Sequence, residues 1–264
     1  MKTILLFALS AALLAAQQSH GDSERGYNDT PQLPGQKWKV HDMDRPRPPK
    51  VTPGVPLLQE NPPSDATVLF NGKDLSEWVD ARDGSAPKWK VTNGYMEITT
   101  GRLATKQKFG DIQLHIEWMV PKGETSKGQD RGNSGVEIMG RYEIQVLESS
   151  QNLTYADGQA ASIYGQWPPM VNVSRPEGEW NVYDIFFEAP KMEGGKVVKP
   201  AFVTVIHNGV LMHHHKEIIG RAVHRKVATY DVHQAEEALT LQDHDHPVRY
   251  RNIWIRRLKG YDQQ

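Results

Sequence analysis

The chain has 264 residues and no cysteine, so it is long enough for one large β domain or two small ones and carries no disulfide framework. Its 31 Lys and Arg against 32 Asp and Glu leave a net charge of -1, which gives no reason to expect a nucleic-acid partner or an anionic membrane surface. A small neutral ligand suits that balance better.

In chain order, residues 1–21 come first: Lys2, an apolar run from Ile4 to Ala16, then small and polar residues. This pattern predicts a secretory signal peptide, the run being too short for a membrane span of about 20 residues. The mature protein is then expected to be exported, periplasmic or extracellular, with no membrane attachment after cleavage. Nine of the 17 prolines fall before residue 64, in stretches such as "RPRPPK". Proline fixes φ and removes donors, so residues 22–63 read as a Pro-rich leader or linker, extended or wrapped on the domain surface.

From residue 64 to about 260 the texture is one of short alternating runs separated by Gly, Asn, Asp and Pro. "DIQLHIEWMV" (111–120) alternates Ile112, Leu114, Ile116, Trp118 and Val120 against Gln113, His115 and Glu117, the period of a half-buried strand. The runs at 142–147, 180–189, 201–214 and 248–258 repeat it, and Asn208-Gly209 inside the run at 201–214 predicts a tight hairpin. Residues 233–239, "HQAEEAL", are the main helix candidate. The sum predicts an all-β fold, one antiparallel β-sandwich with long loops. Trp118, Trp180 and Trp254 sit in strand patterns and are expected in its core.

Residues 133–149, "NSGVEIMGRYEIQVLES", read as two strands around a turn, yet they carry Glu137, Glu143 and Glu148. A three-residue loop at Met139, Gly140 and Arg141 aligns Ile138 with Tyr142 and Val136 with Ile144, which sets Glu137 opposite Glu143. Opposed like charges cost a strand pair a few tenths to about 1 kcal/mol. A bound cation, an arginine such as Arg131 or Arg141, or a proton held on one carboxylate would offset that cost. A raised carboxyl pKa beside an ionised carboxylate is also what sugar acid/base chemistry uses. Asn133 and Ser134, just before these strands, are candidate donors to sugar hydroxyls, although a tight turn accounts for them equally. Tyr164 and Trp167, in "IYGQWPP", can face the apolar side of a sugar ring.

The blocks "LFNGKDLSEW" (69–78), "GNSGVEIMGRYEIQVLES" (132–149), "ASIYGQWPP" (161–169), "GEWNVYDI" (178–185), "VIHNGVLMH" (205–213) and "LTLQDHDHPVRYRNIWIRRL" (239–258) together resemble the 3-keto-disaccharide hydrolase family. The resemblance implies a bent sandwich of the jelly-roll, concanavalin A-like lectin/glucanase type. It also implies cleavage of glycosides already oxidised to a ketone at carbon 3. The ketone acidifies the proton on carbon 2, so a base can remove it and the aglycone can leave from carbon 1; water then adds back. On this resemblance Glu143 is the candidate base, Glu137 its coupled neighbour, and Gln145 and Gln242 hydrogen-bond the sugar. His244, in "LQDH", is the candidate acid or enolate stabiliser, and Arg131 a fixed cation for the enolate.

Two other readings compete. A non-catalytic lectin-like module would use the same aromatics and amides without needing paired glutamates. A retaining glycoside hydrolase would use Glu143 and Glu148, but Gln145 stands where such enzymes carry an aspartate, and the two glutamates would point to opposite faces of a regular strand. The sequence also leaves room for a divalent metal ion, held by His213 and His215 or by His244 and His246 with neighbouring carboxylates.

Overall fold

The computed structural model describes residues 24–55, 57–58 and 61–262, so the expected signal peptide lies outside the described residues. The larger antiparallel sheet runs, in spatial order, Val210–Glu217, Phe202–His207, Asn181–Glu188, Ile112–Met119, Arg249–Arg257, Tyr95–Glu97 and Lys90–Thr92. Thr67–Phe70 also pairs with Arg249–Arg257, beyond the bulge where Asn252 takes φ +45°. The smaller sheet runs Trp78–Asp80, Leu103–Phe109, Glu237–Leu241, Ser134–Ile138 and Tyr142–Val146. Leu114, Ile116, Trp118, Ile185 and Phe187 from the first sheet join Val136, Ile138, Ile144, Val146 and Leu241 from the second in one buried core. This is the antiparallel sandwich that the alternation predicts.

Asn208 and Gly209 both take positive φ, 51° and 80°, and join Phe202–His207 to Val210–Glu217 as a tight hairpin. The expected helix at 233–239 does not form. Its second half opens the strand Glu237–Leu241, which pairs on both edges, with Leu103–Phe109 and with Ser134–Ile138. Leu239 and Leu241 enter the core from that strand, and a helix there would leave both neighbouring edges unpaired.

Residues 24–51 differ from a free linker. Leu33 and Val40 are buried, the buried His41 sets Nδ1 3.2 Å from Asp157 Oδ1, and Val51 N–H donates to the Asn172 carbonyl at 2.9 Å. Arg47 Nε donates to the Thr154 carbonyl at 2.6 Å, so the proline-rich stretch is tied down by side chains where its backbone lacks donors. The segment is a strap across the long loops of the small-sheet side.

His115 lies on the face of the large sheet opposite Leu114 and Ile116, 2% exposed and stacked on Trp254. Burial alone would lower its pKa, but Asp184 at 2.7 Å and Glu117 at 3.8 Å more than offset that and raise it to about 9. A histidine raised in the folded state stabilises fully below its unfolded pKa of about 6.5, and the gain is lost as pH rises through about 9. The stability of the wild type, relative to His115→Gln, should therefore fall by roughly 3 kcal/mol between pH 6 and 10. Urea denaturation at stepped pH reads this, and parallel curves for the two proteins would refute it.

Candidate active site

The register of the small sheet explains why a core-building hairpin carries carboxylates. Ile138 pairs with Tyr142, Glu137 with Glu143 and Val136 with Ile144, the arrangement that a three-residue loop predicts. Val136, Ile138, Ile144 and Val146 face the other sheet, while the alternate positions face outward. Two neighbouring rungs of that outer face carry chemistry. One holds Thr240, Glu137 and Glu143; the other holds Gln242, Gly135 and Gln145, with the Gln242 backbone N–H on the Gly135 carbonyl. Gly135 is small because the rung is full: a Cβ there would lie 2.6 Å from Gln242 Oε1 and 2.7 Å from Glu143 Oε1. Gly135→Ala should therefore displace both side chains and lower activity by at least tenfold, with little change in far-UV circular dichroism. Unaltered kinetics in that variant would contradict the packing described.

These rungs floor a cavity of about 370 Å³. Its walls come from Arg102, Gln129 and Asn133, from Tyr155 and Tyr164 in the loop after Tyr142–Val146, and from His244. The hairpin of Arg221–Val223 and Lys226–Thr229 adds Arg221, Ala222 and His224. Three other grooves, two of about 320 Å³ and one of about 390 Å³, lie elsewhere, so size does not choose among them. In the one beside Arg131 the charges are spent on one another, Arg131 pairing with Glu148 at 3.2 Å and Glu177 at 2.5 Å.

The two opposed glutamates have different surroundings. Glu137 accepts from Thr240 Oγ1 at 2.6 Å and Gln242 Nε2 at 2.9 Å, and Arg102 Nη1 lies 3.1 Å from it, so it is a fixed carboxylate. Glu143, 8% exposed, is pushed up to about 8 by burial first and by the Glu137 charge second. The cost of opposing like charges is thus met by a proton on Glu143 and by Arg102, not by Arg131 or Arg141. Because Gln242 turns its amide nitrogen to Glu137, its Oε1 must accept, and His244 Nε2 donates to it at 3.0 Å. Burial and the Arg102 cation lower the His244 pKa, so the ring is neutral with Nδ1 as its remaining acceptor. Gln145 donates to Asn133 Oδ1 at 3.0 Å, and its own Oε1 is buried without a partner, an acceptor suited to a ligand hydroxyl.

Glu137, Glu143, Gln145, Asn133, Tyr164, Gln242 and His244 therefore converge on one cavity. Arg131 does not join them: its guanidinium is held by Glu148 and Glu177, and Arg102 is the cation at the glutamate pair. Trp167 does not either, since Lys216 Nζ sits 3.4 Å from its ring centroid and the ring packs on the core. Glu148 faces the Arg131 groove, away from Glu143. The histidine pairs also separate. His213 donates to the Ala161 carbonyl while His215, at φ +43°, turns out to Glu188; His246 pairs with Glu124, past Asp245 at φ +62°. Among the described residues no three His, Cys, Asp or Glu side chains gather as metal ligands.

Residues 65–256 match the 3-keto-alpha-glucoside-1,2-lyase-like domain. The chain belongs to that family. As a member of the lyase-like family it stands among carbohydrate-acting proteins, and its relatives agree. A 3-keto-disaccharide hydrolase of Bacteroides thetaiotaomicron is 28% identical over 143 residues, 43% of this chain and 49% of that protein, so the chain spans about half the length of that curated relative. A solved structure of a Parabacteroides distasonis protein assigned in name to the glycosyl hydrolases superposes with a TM-score of 0.74 at 43% identity, covering 85% of this chain and 99% of that one. A second such protein from the same organism, with a TM-score of 0.54 and 18% identity over 74% of this chain and 94% of that one, bears on the fold alone.

Proposed function

We propose that this lyase-like domain cleaves 3-keto-glycosides by taking the proton from carbon 2 and expelling the aglycone from carbon 1, with water adding back afterwards. One observation carries the reading: a buried glutamate whose pKa is raised to about 8, opposite a fixed carboxylate, in a cavity lined by amides. A carboxylate of pKa near 8 is a far stronger base than an ordinary one, which removal of a carbon-bound proton demands. Glu143 is that base. Glu137 raises its basicity, and Arg102 beside the pair offers a cation to the enolate oxygen on carbon 3. Gln145 Oε1 and Asn133 orient sugar hydroxyls.

The neutral state of His244 favours a hydrogen-bonding role there over that of a strong acid. The placement of Glu148 against Arg131 weighs against a two-glutamate glycosidase, whose nucleophile and acid would share one cavity. With residues 1–21 read as a secretory signal, the enzyme works outside the cytoplasm, in a periplasm or beyond the cell. The test is a matched pair of substrates, a plain disaccharide and its 3-keto derivative. Turnover of the keto sugar alone supports the reading; equal turnover of both, or binding of either with no turnover, removes it.

A further inference from the structure

We propose that Tyr164 is the acid that protonates the departing oxygen, that His224 holds it in that role, and that the strap 24–47 holds His224. The inference rests on the cavity being the 3-keto-glycoside site. It concerns parts of the chain that lie partly outside the family match, which begins at residue 65.

The wall across from the small sheet is a rack of five rings, from Tyr27, His41, Tyr155, Tyr164 and His224. Their nearest centroids are 4.1 to 6.5 Å apart. Tyr164 and His224 open on the cavity. The Tyr164 hydroxyl lies 2.9 Å from the Tyr155 hydroxyl and 3.1 Å from His224 Nδ1, and the Tyr27 hydroxyl lies 3.4 Å from His224 Nε2. Burial lowers the His224 pKa to about 4, so the ring is neutral and carries one N–H. With Tyr27 donating to Nε2, that N–H sits on Nδ1 and points at Tyr164. The Tyr164 oxygen then accepts from His224 and from Tyr155, and its own hydrogen is left for the cavity. Burial, with the Glu143 charge second, raises the Tyr164 pKa well above that of a free phenol, so the proton stays until an alkoxide-like oxygen needs it.

The hairpin carrying His224 is anchored by the strap. Asp29 accepts from Arg225 Nη2 with both carboxylate oxygens at 2.7 Å, and the Arg225 guanidinium lies 4.2 Å from the Tyr27 ring centroid. In the reaction Glu143 takes the proton from carbon 2, the electrons of that bond form the enolate beside Arg102, and as the enolate collapses they become the carbon 1–carbon 2 double bond. The carbon 1–oxygen bond breaks with its electron pair on oxygen, which takes the Tyr164 proton. When water then adds, its hydroxyl goes to carbon 1, Glu143, its acid proton exchanged with solvent, reprotonates carbon 2, and the water's remaining proton restores Tyr164, while His224 keeps its Nδ1–H on the Tyr164 oxygen throughout.

Two 3-keto-glucosides that differ only in leaving group test this, one releasing a sugar alcohol and one releasing nitrophenol, which departs without an acid. Tyr164→Phe and His224→Ala should lose about 100-fold in kcat/KM on the first and less than about 3-fold on the second. His224→Asn, whose amide N–H can replace Nδ1–H, should recover at least a tenth of the lost activity. Asp29→Ala should lose several-fold on the sugar-leaving substrate alone. Equal losses on both substrates, or Asp29→Ala and His224→Ala enzymes matching wild type, would overturn the proposal while leaving Glu143 as base. A wild type inert towards both substrates would remove the sugar reading and this inference with it.

Discussion

Glu143→Gln is expected to reduce turnover of a 3-keto disaccharide by about 10³-fold, within the span that removal of a general base produces. KM should change little, because the amide keeps the shape and hydrogen-bonding reach of the carboxyl group. Stability should stay level or rise: the buried carboxyl sits opposite Glu137 and holds its proton up to about 8, so ionising it costs folding free energy that a neutral amide does not. Steady-state kinetics and a thermal melt on the same preparation read all three. Turnover within threefold of wild type would take Glu143 out of the chemistry.

The second large effect is on pH dependence. If Glu143 acts as base, kcat/KM must rise with pH and level off above about 8, where the carboxyl is ionised in the free enzyme. Glu137 contributes to that position by repulsion at the opposed register site. Removing its charge with Glu137→Gln lowers the Glu143 pKa, so the rising limb should move to lower pH by roughly one unit or more. The plateau should fall as well, since a less basic carboxylate abstracts a carbon-bound proton more slowly. An activity that falls through pH 8 would assign Glu143 as an acid instead, and a limb that ignores Glu137→Gln would show the two carboxylates to be uncoupled.

Much of this architecture was legible because it is local. The alternation around Leu114, Ile116 and Trp118, the Asn208-Gly209 turn, and the pairing of Ile138 with Tyr142 follow from side-chain period and turn chemistry. The same register logic put Glu137 opposite Glu143. What stayed hidden depends on contacts between distant segments. Arg102 precedes the strand Leu103–Phe109, and it reaches Glu137 because that strand and Ser134–Ile138 flank the same strand, Glu237–Leu241. No spacing in the sequence announces that. Arg131, nearer in sequence, was the natural candidate and is held instead by Glu148 and Glu177. Tyr155 and His224 reach the cavity from a loop and a hairpin, and proline content suggested a leader without showing which of its side chains anchor it to the domain. "HQAEEAL" misled for a related reason: its helix-forming residues lie between two strand edges that need a partner.

The most direct test of the central claim is to run the reaction on a 3-keto disaccharide in deuterium oxide and examine carbon 2 of the released keto sugar. Loss of the original proton by elimination, followed by addition of water, predicts deuterium at carbon 2 in nearly every product molecule. Release of a keto sugar that keeps its original proton there would mean that the glycosidic bond is broken without forming an enolate, and would contradict the assignment of Glu143 as the base.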